Sequence, residues 1–153
     1  MMDLHFKRIT KEDAAFLTEI FSIPEYELYF AENDTTQEEW QERIATYYLS
    51  EQSYIVSDGQ EKVGWIMYSI VKGICKIDII VLHPQKRYMG YGKEIIAELI
   101  AANPTVTKIK LDVQKRNKQA LSFYRRLGFS VDGEEIQPVG ESEVPYFNLS
   151  LAL

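Results

Sequence analysis

The stretch Gln85–Ile100, QKRYMGYGKEIIAELI, sets two glycines close together behind basic side chains. It then changes to helical spacing, with Ile95, Ile96, Leu99 and Ile100 forming one apolar stripe. No Ser, Thr, Asp or Asn stands at the start of that helix to cap it. An open helix start exposes unpaired N–H groups and the positive end of the helix dipole, which together favour an anion. Gly90 and Gly92 would let a phosphate approach the backbone without a β-carbon in the way, and Lys86, Arg87 and Lys93 would add positive charge. The stretch is not a P-loop, which needs Gly-x-x-x-x-Gly-Lys-Ser/Thr, and Ile95 stands where a dinucleotide fingerprint needs its third glycine. On the glycines alone, an ordinary turn from strand to helix accounts for the pattern equally well.

Working outward, GICKIDIIVL (73–82) reads as the strand before this turn. Asn103-Pro104 stops the helix, and TKIKLDVQ (107–114) returns to strand alternation. The strand–helix–strand unit from Ile77 to Val113 is therefore expected to be parallel and right-handed. Upstream, SYIVSDGQEKVGWIMYSI (53–70) reads as a hairpin turning at Asp58-Gly59, with a bulge at Gly64. HFKRIT (5–10) predicts a first strand and KEDAAFLTEIF (11–21) a first helix. TTQEEWQERIATYYLS (35–50) predicts a second helix, with Thr36 and Glu39 spaced as a capping box. Downstream, NKQALSFYRRLGF (117–129) is a helix that Asn117 caps and Gly128 closes, and FSVDGEEI and YFNLSLAL finish the sheet. The order β α α β β β α β α β β predicts one α/β domain over residues 1–153, a mixed sheet of about seven strands flanked by about four helices.

The chain of 153 residues is 46% hydrophobic and 26% charged, which suits one domain with a substantial core. A net charge of −6 disfavours nucleic acid as a partner and is compatible with cationic small molecules. No apolar run approaches the roughly 18–20 residues that span a bilayer, so no membrane association and a cytoplasmic location are expected. Cys75 is the single cysteine, and with only His5 and His83 beside it no metal site is expected. Cys75 has no general base next to it in sequence and reads as a structural thiol, and His83, before Pro84, reads as a loop residue. The stretch 25–42, EYELYFAENDTTQEEWQE, holds seven acidic residues and no Lys or Arg, with Tyr26, Tyr29, Phe30 and Trp40 interleaved. It reads either as a wall that recognises cations or as helix starts and solvated faces rich in carboxylates.

Two separated signatures give a family resemblance. Arg87, Gly90 and Gly92 match Arg/Gln-x-x-Gly-x-Gly/Ala, while Asn117, Ala120, Tyr124, Gly128 and Phe129 match a second pattern at matching spacing. With the strand before them, residues 53–130 resemble the GNAT superfamily of N-acetyltransferases. Tyr88 departs from the pattern, since a third glycine is common there. The resemblance implies acetyl-CoA as co-substrate. Its pyrophosphate would lie on the amides of Tyr88, Met89, Gly90, Tyr91, Gly92 and Lys93, beside Arg87. The main chain of Ile80, Val81 and Leu82 would pair with its pantetheine arm like an added strand. Asn117 falls with the cofactor residues.

By the same resemblance Tyr124 would donate a proton or hydrogen bond to the CoA sulfur, and the Leu82 N–H would serve the developing oxyanion. Two carboxylates compete for the base. Asp78 shares strand parity with Ile80 and Leu82 and stands where polyamine-type members carry a glutamate. Asp112 stands where protein N-terminal acetyltransferases carry one, yet it also alternates with Ile109, Leu111 and Val113 as a solvent-facing residue would. The acceptor is expected to be a small-molecule amine or a peptide, and the sequence leaves monomer and homodimer both open. The competing readings are a non-catalytic acyl-CoA-binding regulatory domain of the same fold and a general phosphometabolite binder. Retention of Tyr124 argues against the first and a preference for CoA would exclude the second.

Overall fold

The alternation of strand and helix patterns closes into one sheet. The computed structural model describes residues 2–153. Its strands are β1 (Leu4–Arg8), β2 (Gln52–Asp58), β3 (Glu61–Val71), β4 (Ile74–Leu82), β5 (Lys108–Gln114), β6 (Ser130–Val139) and β7 (Ser142–Ala152). They lie in the order β1-β2-β3-β4-β5-β7-β6. Every neighbouring pair is antiparallel except β4 and β5, which the crossover helix makes parallel as expected.

The helices are α1 (Ala14–Ile20), α2 (Pro24–Phe30), α3 (Gln37–Arg43), α4 (Tyr91–Ala102) and α5 (Lys118–Arg126), one more than the sequence suggests. The additional one is α2. Pro24 sets its first turn after an extended Ile23, and Ala31 closes it in the left-handed region at φ 54°. Tyr26 and Phe30, four apart, give its inner face, which the surrounding glutamates hide in a sequence reading. The Thr36–Glu39 capping box is present, and α3 runs on into a π-helical turn at Ile44–Tyr48.

The sheet has helices on both faces. Ile95, Ile96 and Leu99 of α4 and Leu121 and Tyr124 of α5 pack on one face with Ile66, Cys75, Ile77 and Leu111. Leu17 and Ile20 of α1, Tyr26 of α2 and Trp40 of α3 pack on the other with Ile55, Trp65 and Val81.

Two irregularities shape the centre of the sheet. The register between β2 and β3 skips Val63, so the first bulge falls one residue before Gly64. The register between β3 and β4 passes from Tyr68–Ile77 to Met67–Ile79 and skips Asp78. This second bulge overturns the expected parity. Before it Cys75 and Ile77 face α4, whereas after it Ile80 and Leu82 do, with Ile79 and Val81 turned toward α1 to α3. Asp78 sits beside Tyr48, Met67 and Ser69 rather than on the face of Ile80 and Leu82. Farther along, β4 and β5 pair only through Ile74–Lys76 against Lys108–Lys110 and then part. The C-terminal half of β4 is left with one edge open in the middle of the sheet.

Candidate active site

A cleft of about 330 Å³ occupies the gap where β4 and β5 part. Lys76, Asp78 and Ile80 line it from β4, and Asp112 and Gln114 from β5. Tyr29 and Phe30 of α2 roof it, Gln137 and Tyr146 close its far side, and Asn117 and Tyr124 approach from the side of α5. The His83 N–H donates to Val63 O at 2.8 Å. Backbone polar groups alternate along an antiparallel strand, so those of Ile80 and Leu82 point away from β3 into the gap. Consistent with this, the Tyr26 hydroxyl donates to Leu82 O at 2.8 Å. Of the three expected strand residues, Ile80 and Leu82 offer main-chain groups there, while Val81 turns its backbone to β3 and its side chain into the core.

The glycine stretch forms the loop into α4. Gly90 is the residue before the first helical position, at φ 89°, and no side chain caps the helix. The first helical bond runs from Glu94 N–H to Gly90 O at 3.3 Å, leaving the amides of Tyr91, Gly92 and Lys93 without a helical acceptor. Tyr88 adopts φ 65°, the left-handed conformation for which glycine is suited, which accounts for the glycine common at this position and leaves Tyr88 in a strained backbone. The Tyr88 and Met89 side chains are exposed.

The two glycines have different reasons. Gly90 needs its dihedral. A β-carbon on Gly92 would come within 2.9 Å of the Phe123 ring, so this glycine allows α4 and α5 to approach closely. Tyr91 turns inward, and its hydroxyl donates to Asp58 Oδ2 at 2.7 Å, tying the loop to the β2–β3 hairpin. That bond pushes the Tyr91 hydroxyl up to about 12 and holds the Asp58 carboxyl below its usual range.

The basic residues near the loop are partly engaged elsewhere. Arg87 is ion-paired with Glu25 of α2, with its guanidinium 5.5 Å from the Tyr26 ring and 5.4 Å from the Tyr88 ring. Lys86 pairs with Glu61 at 2.6 Å. Lys93 is exposed in the first turn of α4.

On α5, Asn117 Oδ1 accepts from the Ala120 N–H at 3.1 Å, the expected cap. Tyr124 is buried between the rings of Phe123 at 5.0 Å and Phe129 at 5.4 Å, and burial drives its hydroxyl pKa well above the ordinary value. Its hydroxyl has no hydrogen-bond partner among the described residues, and the side chain lines the cleft. It is therefore a protonated donor with no partner among the described residues.

The two carboxylates differ sharply. Asp112 Oδ2 accepts from Lys76 Nζ at 2.7 Å and Gln137 Nε2 at 2.9 Å, and Oδ1 accepts from Asn148 Nδ2 at 2.8 Å. Burial pushes the Asp112 carboxyl up, but these three donors more than offset it and hold it below the usual aspartate value. Asp78 accepts no hydrogen bond among the described residues. Burial raises its pKa, Lys76 opposes this, and the charges of Glu51 and Asp112 add to the rise. Asp78 also borders a second groove, with Tyr47, Glu51 and Ser69, that opens to the surface.

The acidic stretch does not form a wall on the cleft. Glu25 holds Arg87, Glu32 holds Arg43, Glu27 accepts from the Asn33 amide and Glu39 completes a capping box. Only the interleaved aromatics Tyr29 and Phe30 reach the cleft. His83 caps the turn after β4, where its Nδ1 accepts from the Gln85 N–H at 3.1 Å, and it stacks on Phe16. Cys75 is buried in the core with its thiol pushed up to about 11 by burial and by Asp78, which makes it inert.

Sequence reasoning missed Lys76, Gln114, Gln137 and Tyr146. Gln114 is buried, and its Nε2 donates to Tyr29 O at 3.0 Å and to the Tyr146 hydroxyl at 3.1 Å, fastening the roof helix to the end of β5. Arg116 adds a bond to Leu28 O at 2.6 Å. The available signal was polar residues at the end of a strand pattern; the partners come from distant segments.

No helix among the described residues is long and apolar enough to cross a membrane. The model of the acetyltransferase (GNAT) family matches residues 14–129. A peptidyl-lysine N-acetyltransferase, YjaB of Salmonella typhimurium, is 30% identical over 97 residues, 63% of this chain; the chain thus spans only about 60% of that relative's length. Among solved structures, an acetyltransferase (GNAT family) from Bacillus anthracis superposes with a TM-score of 0.81 at 17% identity, covering 99% of this chain and 96% of that one. Spermidine N-acetyltransferase from Vibrio cholerae, in complex with CoA and spermine, gives a TM-score of 0.76 at 15% identity over 97% and 95% of the two chains. With the family model matching from α1 to the end of α5, this chain belongs to the acetyltransferase (GNAT) family.

Proposed function

We propose that the protein transfers the acetyl group of acetyl-CoA to a primary amine of a small cationic molecule or a peptide, in the cleft where β4 and β5 part. The observation that carries this is the open edge of β4 at Ile80 and Leu82, a strand that leads into the loop and uncapped start of α4 and whose Ile80 shares the cleft with Tyr124. The residues fit the co-substrate. The amides of residues 88–93 suit a pyrophosphate, and the strand edge suits the amides of the pantetheine arm. For this, Tyr26 must yield its bond to Leu82 O or share it.

When bound, acetyl-CoA supplies an acetyl group activated as a thioester. The N–H of Leu82 points into the gap and would stabilise charge developing on the acetyl oxygen. Asp78, free of donors and with a raised pKa, is the better base and takes the amine's proton directly or through water. Tyr124, kept protonated by burial, delivers its proton to the departing sulfur. Nitrogen gains the acetyl carbon, sulfur loses it, and the two proton transfers balance the reaction.

Asp78, Asp112 and Lys76 leave the cleft one negative charge in excess, which favours a cationic amine. The groove past Tyr47 and Glu51 is the acceptor's approach. The names of the Salmonella and Vibrio proteins, a peptidyl-lysine and a spermidine acetyltransferase, fit this acceptor chemistry.

The test is release of free CoA thiol from acetyl-CoA across a panel of polyamines, amino acids, aminoglycosides and lysine peptides. Turnover is expected with cationic primary amines. CoA binding with no turnover on any amine would return the domain to a regulatory role, and preference for anionic acceptors would overturn the charge argument.

A further inference from the structure

Asp112 is poorly suited to act as a base yet is elaborately held, which calls for another role. Its oxygens receive Lys76, Gln137 and Asn148, which fill three of the roughly four lone-pair sites a carboxylate offers. Asn148 is its direct partner across β5 and β7, and Gln137 reaches it from β6. Both amide nitrogens are oriented from behind by Glu135, whose Oε1 accepts from Gln137 at 2.6 Å and from Asn148 at 3.1 Å. Asp112 is thus fixed by two neighbouring strands, and the mobile member of the pair is Lys76. Lys76 stands two residues before Asp78 on β4, roughly 6–7 Å along the strand, with its ammonium on a flexible stem in the same cleft. Without Asp112, the nearest carboxylate in the cleft for that ammonium is Asp78.

We propose that Asp112 is a positioning residue that holds the Lys76 ammonium away from Asp78, leaving Asp78 free to accept the acceptor's proton. This rests on Asp78 being the base. The charged and titratable groups around Asp78 are Lys76 and Cys75 on its own strand, Asp112 from β5, Glu51 ahead of β2, Tyr47 and Tyr48 after α3, and across the cleft Tyr29, Tyr124 and Tyr146. Of these, Lys76 is the only cation, so its position decides whether Asp78 behaves as a free or a neutralised carboxylate.

The test combines the pH profile of kcat/KM with a carboxyl-carbon NMR titration of Asp78, which needs no turnover. In Asp112→Asn, Lys76 is released toward Asp78. The acidic limb and the Asp78 titration both move to lower pH, and the kcat plateau falls about 10-fold or more as the base weakens. In Lys76→Met the cation is gone while Asp112 remains, and both midpoints move to higher pH. Adding Lys76→Met to Asp112→Asn returns the limb toward the wild-type position and recovers kcat. Loss of the Asp112 charge alone lowers both midpoints equally with or without Lys76, so the inference requires Lys76→Met to raise the Asp78 midpoint more in the Asp112→Asn background than in wild type; equal shifts in the two backgrounds, or an unmoved limb in Asp112→Asn, overturn it. Should Asp112→Asn not fold, Asp112→Glu, which keeps the charge but moves the paired ammonium, takes its place in the comparison. Asp78→Asn separates the two readings. Loss of the acidic limb with an unmoved limb in Asp112→Asn sinks only the positioning role, whereas wild-type activity and profile in Asp78→Asn overturn the base assignment and this inference with it.

Discussion

Gly92 of α4 lies so close to Phe123 of α5 that a β-carbon on the glycine would meet the ring at 2.9 Å, whereas the nearest atom to a β-carbon on Gly90 is 3.7 Å away. The signature that looks like one anion-binding device is two devices, a backbone turn at Gly90 and a helix contact at Gly92. Phe123 in turn touches Tyr124, so the contact passes from the proposed cofactor loop to the proposed proton donor.

The two glycine variants should therefore fail differently. Gly92→Ala is expected to cost about 1–3 kcal/mol by overpacking, a fall of about 2–4 °C in Tm per kcal/mol, and to be relieved by Phe123→Leu. Gly90→Val should strain the turn by about 1–2 kcal/mol and weaken CoA binding in calorimetry, with no relief from Phe123→Leu. Equal rescue of both by the Phe123 change would mean the contact is not specific to Gly92.

Tyr124→Phe removes a hydroxyl that has no hydrogen-bond partner among the described residues, so fold and CoA affinity should be preserved. Turnover should fall about 10- to 1000-fold, the scale of a lost proton donor. The thiol-release assay reads this directly, and wild-type turnover would return Tyr124 to the core.

Glu25 is ion-paired with Arg87 and, on the proposed reading, competes with the co-substrate for it. Glu25→Gln should free the guanidinium and tighten CoA binding by about 1.5- to 5-fold, the range of an exposed ion pair, with a steeper salt dependence. Arg87→Ala should weaken binding instead. If Glu25→Gln binds CoA less tightly than wild type, the pair supports the loop rather than opposing the ligand.

Asp78 should carry a stability cost at neutral pH. Its pKa is raised by folding, chiefly through partial desolvation of a side chain that still reaches solvent, so a small contribution is favourable below its unfolded value, near 3.8, and is lost as pH rises through the folded value. Asp78→Asn is expected to raise Tm at pH 7, with the gain vanishing below about pH 3.8. An Asp78→Asn protein no more stable than wild type at pH 7 would falsify this. The trade is the one expected of a group retained for chemistry rather than for folding.

The sequence by itself determined the order of elements, the parallel crossover around α4, the open helix start and the pair of signatures that mark the family. Each of these depends on local rules: period, punctuation, and which residues tolerate a given backbone. It missed α2 because its apolar face, Tyr26 and Phe30, is short and set among glutamates. It left Asp78 and Asp112 as equals because a carboxylate's basicity is set by what surrounds it. Lys76, Gln137 and Asn148 reach Asp112 from three strands, two of them 36 residues away in sequence. The bulge that turns Asp78 off the face of Ile80 and Leu82 is invisible to strict alternation, since one extra residue in β4 inverts the parity of all that follows. The acidic stretch likewise reads as a wall until folding pairs its carboxylates with Arg87, Arg43 and helix ends. Local propensity thus fixed the chain's outline, and only tertiary packing, which decides each charge's partners and its share of water, set the surroundings of the two carboxylates apart.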